Sequence, residues 1–247
     1  MKIQTVTNYL EELAPLSYAE EFDNVGLLVG NYDTEVTGVL VTLDSLEDTV
    51  DEAIAKNCNL IVSFHPIIFG GLKKLNGNSY VERVVLKAIK NDIAIFAIHT
   101  ALDNIKNGVS GKICETLGLK NTEILIPKSN LNTQETIGMG MIGELSSEMN
   151  EADFLRFIKT TMKTECIRHS ELLGKPIKKV AVLGGSGSFA IENAIALKAD
   201  AYISADFKYH DFFKAEKQIL LADIGHYESE QFTKNLLVEY LTKKFTN

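Results

Sequence analysis

Residues 36–64 read VTGVLVTLDSLEDTVDEAIAKNCNLIVSF, and this stretch decides the fold class. Val36–Leu43 is a short apolar run of the kind a buried strand presents. Ser45 stands where an N-cap oxygen is needed, and Leu46, Val50 and Ile54 follow at helical spacing toward Asn57. Leu60–Phe64 reads as a second strand. Strand, helix, strand in so short a span is a βαβ unit, and its two strands run parallel because the helix returns the chain to the starting edge.

The alternation continues outward. After a Gly/Asn-rich turn, Ser79 and Glu82 have capping-box spacing, and Val81, Val84, Val85, Ala88 and Ile89 mark the buried face of the next helix. Ile93–Ile98 is the next strand. Upstream, Ile3, Val6, Leu10 and Leu13 trace an amphipathic helix. From residue 121 the pattern loosens, with strands expected over Leu125–Leu131 and Ile137–Leu145 and a helix over Glu151–Met162. It then resumes: strands at Lys179–Leu183, Ala201–Ser204 and Gln218–Asp223, helices at Phe189–Lys198 and Glu228–Lys243. The expectation is an α/β protein with two Rossmann-like lobes and mostly parallel sheets. The lobes cover 1–120 and 178–247, with an irregular connecting region over 121–177.

Composition narrows the function. The chain has 247 residues, a formal net charge of −8 and 45% hydrophobic residues, which suits a sizeable core and excludes disorder as the main state. Acidity and the absence of a Lys/Arg-rich run disfavour nucleic acid. Cys58, Cys114 and Cys166 form no CxxC pair and read as reduced thiols filling core. The N-terminus lacks an apolar signal segment, and Leu60–Leu72, the most apolar stretch, is too short to span a bilayer. A soluble, cytoplasmic protein is expected.

Three of the five histidines follow strands directly. His65 ends LIVSF; His99 ends IAIFAI, with Asp103 four residues on; His226 follows ILLADIG, with Glu230 four residues on. Ligands of open parallel sheets bind outside the carboxyl ends of strands, so these groups are expected at one sheet edge. Imidazole and carboxylate together suit divalent Zn, Fe, Mn or Ni. His169, in RHSELLG, reads as solvated, and His210 in SADFKYHD could join the polar edge. VAVLGGSGSFA competes for attention: Gly185, Gly187 and Ala190 match GxGxxG/A, with Asp206 21 residues after Gly185. Its readings are a dinucleotide fingerprint of an NAD(P)-binding oxidoreductase, a turn holding a substrate phosphate, and a tight turn where glycine permits close packing.

The landmarks FDNVGLLVG (22–30), SFHPIIF (63–69), AIHTALDN (97–104), GGSG (184–187), SADFKYHD (204–211) and DIGHYESE (223–230) fall in one order along the chain. In these the sequence resembles the GTP cyclohydrolase I type 2 homologues, the Nif-three-like or YbgI-like proteins, in the short form without an inserted domain. The resemblance implies two lobes around a central metal-binding cleft, a dinuclear metal site and a toroidal homohexamer. Carried over by position, the metal ligands are His65, Asp103, His226 and Glu230, with His99 as an adjacent second layer or extra ligand. One departure stands out. The first histidine of the family's His-His-Pro pair is Phe64 here, which has no lone pair to give an ion.

The expected function is therefore metal-dependent hydrolysis of a small nucleotide-like or phosphorylated substrate. One or two divalent ions per chain would serve it, with His99 or His210 as general base or acid and Gly185 and Gly187 beside the substrate. The alternative is a metal-binding regulatory protein without turnover.

Overall fold

The computed structural model describes residues 1–128 and 136–245. They fall into two compact units: Met1–Leu102 together with Thr233–Asn247, and Asp103–Phe232. In chain order the first unit carries α1 (Ile3–Leu13), β1 (Gly26–Val29), β2 (Val39–Thr42), α2 (Glu47–Ala55), β3 (Leu60–Ser63), α3 (Tyr80–Lys90) and β4 (Ala94–Ala97). The next helix, α4 (His99–Asp103), contains the boundary.

Every residue of β3 and β4 is buried, as strands covered on both faces require. The sheet order is β1-β4-β3-β2. β2, β3 and β4 are parallel, and β1 closes one edge antiparallel to β4. Val50, Ala53, Val84, Val85 and Ala88 of α2 and α3 pack with Ile61 and Ile95 of the sheet. The α2 cap differs from expectation. Ser45 is buried and the helix starts at Glu47, where the Leu46 amide donates to Thr49 Oγ1 at 3.3 Å. At α3, Ser79 accepts from the Glu82 amide as expected. The Glu82 carboxylate instead accepts from the Asn76 and Asn78 amides, fixing the turn before the helix. Ile89 is exposed rather than core.

The second unit carries α5 (Val109–Leu117), β5 (Lys120–Pro127), β6 (Gly138–Asn150), α6 (Glu151–Thr161), β7 (Arg168–His169), β8 (Pro176–Ser186), α7 (Ile191–Ala196), β9 (Ala201–Ala205), β10 (Leu220–Asp223) and α8 (His226–Glu230). Its sheet order is β5-β6-β8-β9-β10-β7. β8, β9 and β10 are parallel, while the other three pairings are antiparallel, so this sheet is mixed rather than mostly parallel. The stretch expected to be irregular supplies three of its strands, β5, β6 and β7, and the helix α6. The glycines of GMGMIG look like strand breakers, yet Gly138 is where β6 passes closest to β5. A Cβ there would lie 2.0 Å from the Ile126 oxygen. β5 ends at Pro127, and the rest of the strand expected to reach Leu131 lies outside the described residues.

The last predicted helix is two: α8 and, returning to the first unit, α9 (Thr233–Thr242). The unit boundaries thus depart from 1–120 and 178–247, because the chain leaves the first unit inside α4 and re-enters it at Thr233. Cys114 is core, and burial pushes its thiol up to about 12. Cys166, expected to be core, is exposed. Among the described residues no helix is long and apolar enough to cross a membrane.

Candidate functional site

The candidate residues divide between the two units. In the first, the register Ser63 beside Ala97 brings the carboxyl ends of β3 and β4 level, so His65 and His99 leave adjacent strands at one edge. Ser63 fixes that exit by donating its hydroxyl to the His65 oxygen at 2.8 Å. His65 Nδ1 lies 3.0 Å from Asp44 Oδ1, and His99 Nδ1 lies 2.9 Å from Asp23 Oδ1. An ionised carboxylate only accepts, so each Nδ1 carries a proton toward its aspartate and the ring orientation is fixed.

The Asp23 side chain has no exposed surface. Burial opposes its charge, but His99, the Thr100 hydroxyl and the Thr100 amide all donate to it, and together they hold its carboxyl down at about 2. The His65 and His99 rings stand 5.2 Å apart, centroid to centroid. Phe64 is fully buried, its ring 4.8 Å from His65 and 5.4 Å from His99. His99 and Asp103 are the first and last residues of α4, so the stretch left open between helix and loop is helical and the two are one turn apart.

In the second unit the parallel register aligns Ser186 with Ala205 and Ser204 with Asp223. Asp206 and His226, just beyond β9 and β10, emerge at the same edge as Gly185 and Ser186. Helix α8 begins at His226, two residues before the predicted start, which places Glu230 one turn on, with Oε2 3.2 Å from His226 Nε2. Asp206 holds His226 Nδ1 at 2.7 Å and also accepts from the Ser186 hydroxyl. Glu230, aided by Asp206 and opposed by desolvation, raises His226 to about 9. Glu230 itself is buried.

Gly185 makes this packing feasible. Its φ is +72°, and a Cβ there would lie 2.4 Å from Glu230 Oε1 and 3.4 Å from His226 Nε2. Its amide donates to Ser229 Oγ at 2.8 Å, the Gly184 amide donates to Ser110 Oγ and the Gly187 amide to the Ala205 oxygen. The glycine amides are engaged inside the unit, and the helix beyond is a 3-10 turn leading into the six-residue α7. The dinucleotide reading therefore lacks the free amides of a phosphate cradle, and the close-packing reading accounts for both glycines.

Two expectations are corrected. The three strand-end histidines do not share one sheet: His65 and His99 belong to the first, His226 to the second. His210 is exposed, its ring edge-on to Tyr209 and Phe213, and among the described residues no carboxylate holds it. His169 is exposed, as expected. The sequence reading missed Asp23 and Asp44 as histidine partners. Asp44 carried a usable signal, since it follows β2 just as the histidines follow their strands.

The sequence model of Duf34/NIF3 (NGG1p interacting factor 3) matches residues 1–247. A Clostridium acetobutylicum protein named GTP cyclohydrolase 1 type 2 homolog is 34% identical over 233 residues, covering 93% of this chain and 85% of that one. A Staphylococcus epidermidis protein of the same name aligns over 344 positions using 98% of this chain at 27% identity, so it carries inserted residues that this chain lacks. The crystal structure of a Bacillus cereus protein related to NIF3 superposes with a TM-score of 0.93 at 26% identity, over 99% of this chain and 93% of that one.

Proposed function

This chain belongs to the Duf34/NIF3 family, and from that premise we propose that it is a divalent-metal-dependent hydrolase of a small nucleotide-like or phosphorylated substrate. One observation carries the reading: three histidines, each at a strand end, are each held at Nδ1 by an aspartate, as His65–Asp44, His99–Asp23 and His226–Asp206. Imidazoles that bind metals are oriented in this way, with the second nitrogen left for the ion. The donor set fits Zn, Fe, Mn or Ni. His65, Asp103, His226 and Glu230 would hold one or two such ions. The close packing at Gly185, where a Cβ would collide with Glu230 and crowd His226, is consistent with a pair held in place for that use.

A bound ion would polarise the substrate and lower the pKa of a water molecule. The chain's own residues supply the rest. Asp206 keeps the His226 proton on Nδ1. Glu230 and His226 Nε2 share a proton, which the pair would have to release before serving as ligands. Asp23 keeps His99 Nε2 as the accepting atom, which suits His99 to the role of general base. His210, lacking such a partner, is left without one. The reading includes self-assembly into a homohexamer, measured as native mass by light scattering.

Phe64 favours a second reading, a metal-binding regulatory protein without turnover. A buried phenyl ring stands where the resembling family has a ligand. Metal content by elemental analysis, on wild type and Glu230→Ala purified without chelator, decides the first step. The proposal expects bound ion in the wild type and its loss in the variant. Wild type that stays metal-free after reloading with Mn, Fe, Zn and Ni refutes it. Metal retained but no turnover on nucleotides, phosphodiesters and cyclic amides supports the second reading.

A further inference from the structure

The histidine pair of the first unit continues outward into an aromatic surface. Phe22 is 66% exposed and Phe69 54%. Their centroids are 6.3 Å apart, and Phe69 lies 6.3 Å from His99 at an interplanar angle of 73°. His99 in turn lies 5.2 Å from His65. Phe22, Phe69, His99 and His65 thus form one run of rings, apolar at the solvent end and imidazole at the inner end.

The mount of this run is fixed. Asp23, next to Phe22, is tied to His99 and Thr100. The Asn24 side chain donates to the oxygen of Ile68, next to Phe69. The backbone that follows Phe69 is uncrowded, since a Cβ built on Gly70 or Gly71 would meet no atom within 4 Å apart from its chain neighbours. Single exposed phenylalanines need no explanation, but two paired rings on tied backbone beside a histidine cluster do. Their planes are tilted by 46°, so a planar ring stacked face-on over one meets the other obliquely, both being geometries that aromatic pairs adopt.

We propose that Phe22 and Phe69 form a stacking subsite for a planar aromatic ring of the ligand, a nucleobase-like heterocycle. That the ligand's reactive group then lies toward His65 and His99 rests on the hydrolase reading; the stacking itself does not. Phenyl faces accept any heterocycle through its π-face without reading its edge, so the subsite selects for aromaticity and not for one base. A sugar phosphate without a base gains nothing from it.

The probe is the 5′-monophosphate of 2-aminopurine riboside, whose fluorescence is quenched on stacking, titrated with the full zinc-loaded chain. Quenching is expected, with displacement by AMP but not by ribose 5-phosphate. Exchanging both rings in Phe22→Leu/Phe69→Leu keeps apolar bulk and should weaken binding roughly tenfold per ring. Phe22→Tyr/Phe69→Tyr should restore it. Quenching by a protein that turns over none of the nucleotides, phosphodiesters and cyclic amides would sink the hydrolase reading and leave the subsite standing. No quenching by wild type, quenching that survives the leucine variant, or equal displacement by ribose 5-phosphate would overturn the subsite. So would a change in native mass of the leucine variant, which would make the rings a contact between copies.

Discussion

Asp23→Asn isolates the anchor of His99. The wild-type carboxyl titrates at about 2 in the fold against 3.8 as its ordinary value. The folded state releases this proton more readily than the unfolded chain, so its stabilisation is complete above the unfolded value and is lost as pH falls through about 2. Linkage gives roughly 2 to 3 kcal/mol at pH 7, and about half of that at pH 3. Asparagine removes the charge and turns an NH2 group toward donors that Asp23 now accepts from, adding about 1 kcal/mol. Urea denaturation of metal-free wild type and variant, followed by circular dichroism, should give a gap of roughly 3 to 4 kcal/mol at pH 7. That gap should narrow by about 1 to 2 kcal/mol at pH 3, other titrations being common to both proteins. A gap that stays constant with pH would refute the assignment of a charged, buried Asp23 as the His99 anchor.

Other perturbations address the second unit. Gly185→Ala should abolish metal uptake measured by calorimetry and lower stability by roughly 1 to 3 kcal/mol, from the left-handed backbone and the collision with Glu230. Asp206→Asn should weaken metal affinity roughly tenfold to a hundredfold with little change in urea midpoint, since Asp206 is half-exposed and acts on His226. Glu151→Ala should cost roughly 1 to 3 kcal/mol in urea denaturation without touching metal affinity. The buried Glu151 carboxylate accepts from the Leu173 and Gly174 amides at 2.8 Å each, and both would lose their acceptor.

The sequence made the parallel cores legible because buried strands such as LIVS and AIFA are apolar on both faces and helices between them repeat every third or fourth residue. It also located His65, His99 and His226, since a residue just past the end of a parallel strand must lie at the carboxyl edge of its sheet. Less was legible where partners are distant in sequence. Asp23 lies 76 residues from His99, and nothing in FDN announces the pairing. The first part of β6 was legible as the strand expected over Ile137–Leu145, but its continuation to Asn150 was not. The assignment of three histidines to one sheet failed because strand-end logic says which edge a residue occupies and not which sheet.

The return of the chain at Thr233 has a consequence for synthesis. The last helix, α9, buries Leu237 and Leu241 within the first unit, and its Tyr240 ring stacks on Tyr9 at 4.4 Å. The opening hundred residues therefore leave the ribosome without the helix that completes their fold, while the intervening unit has all of its strands and can fold first. For the time it takes to translate some 130 residues, at about 5–20 residues per second, the N-terminal sheet waits with part of its apolar surface uncovered. That interval is when a nascent-chain chaperone would find it.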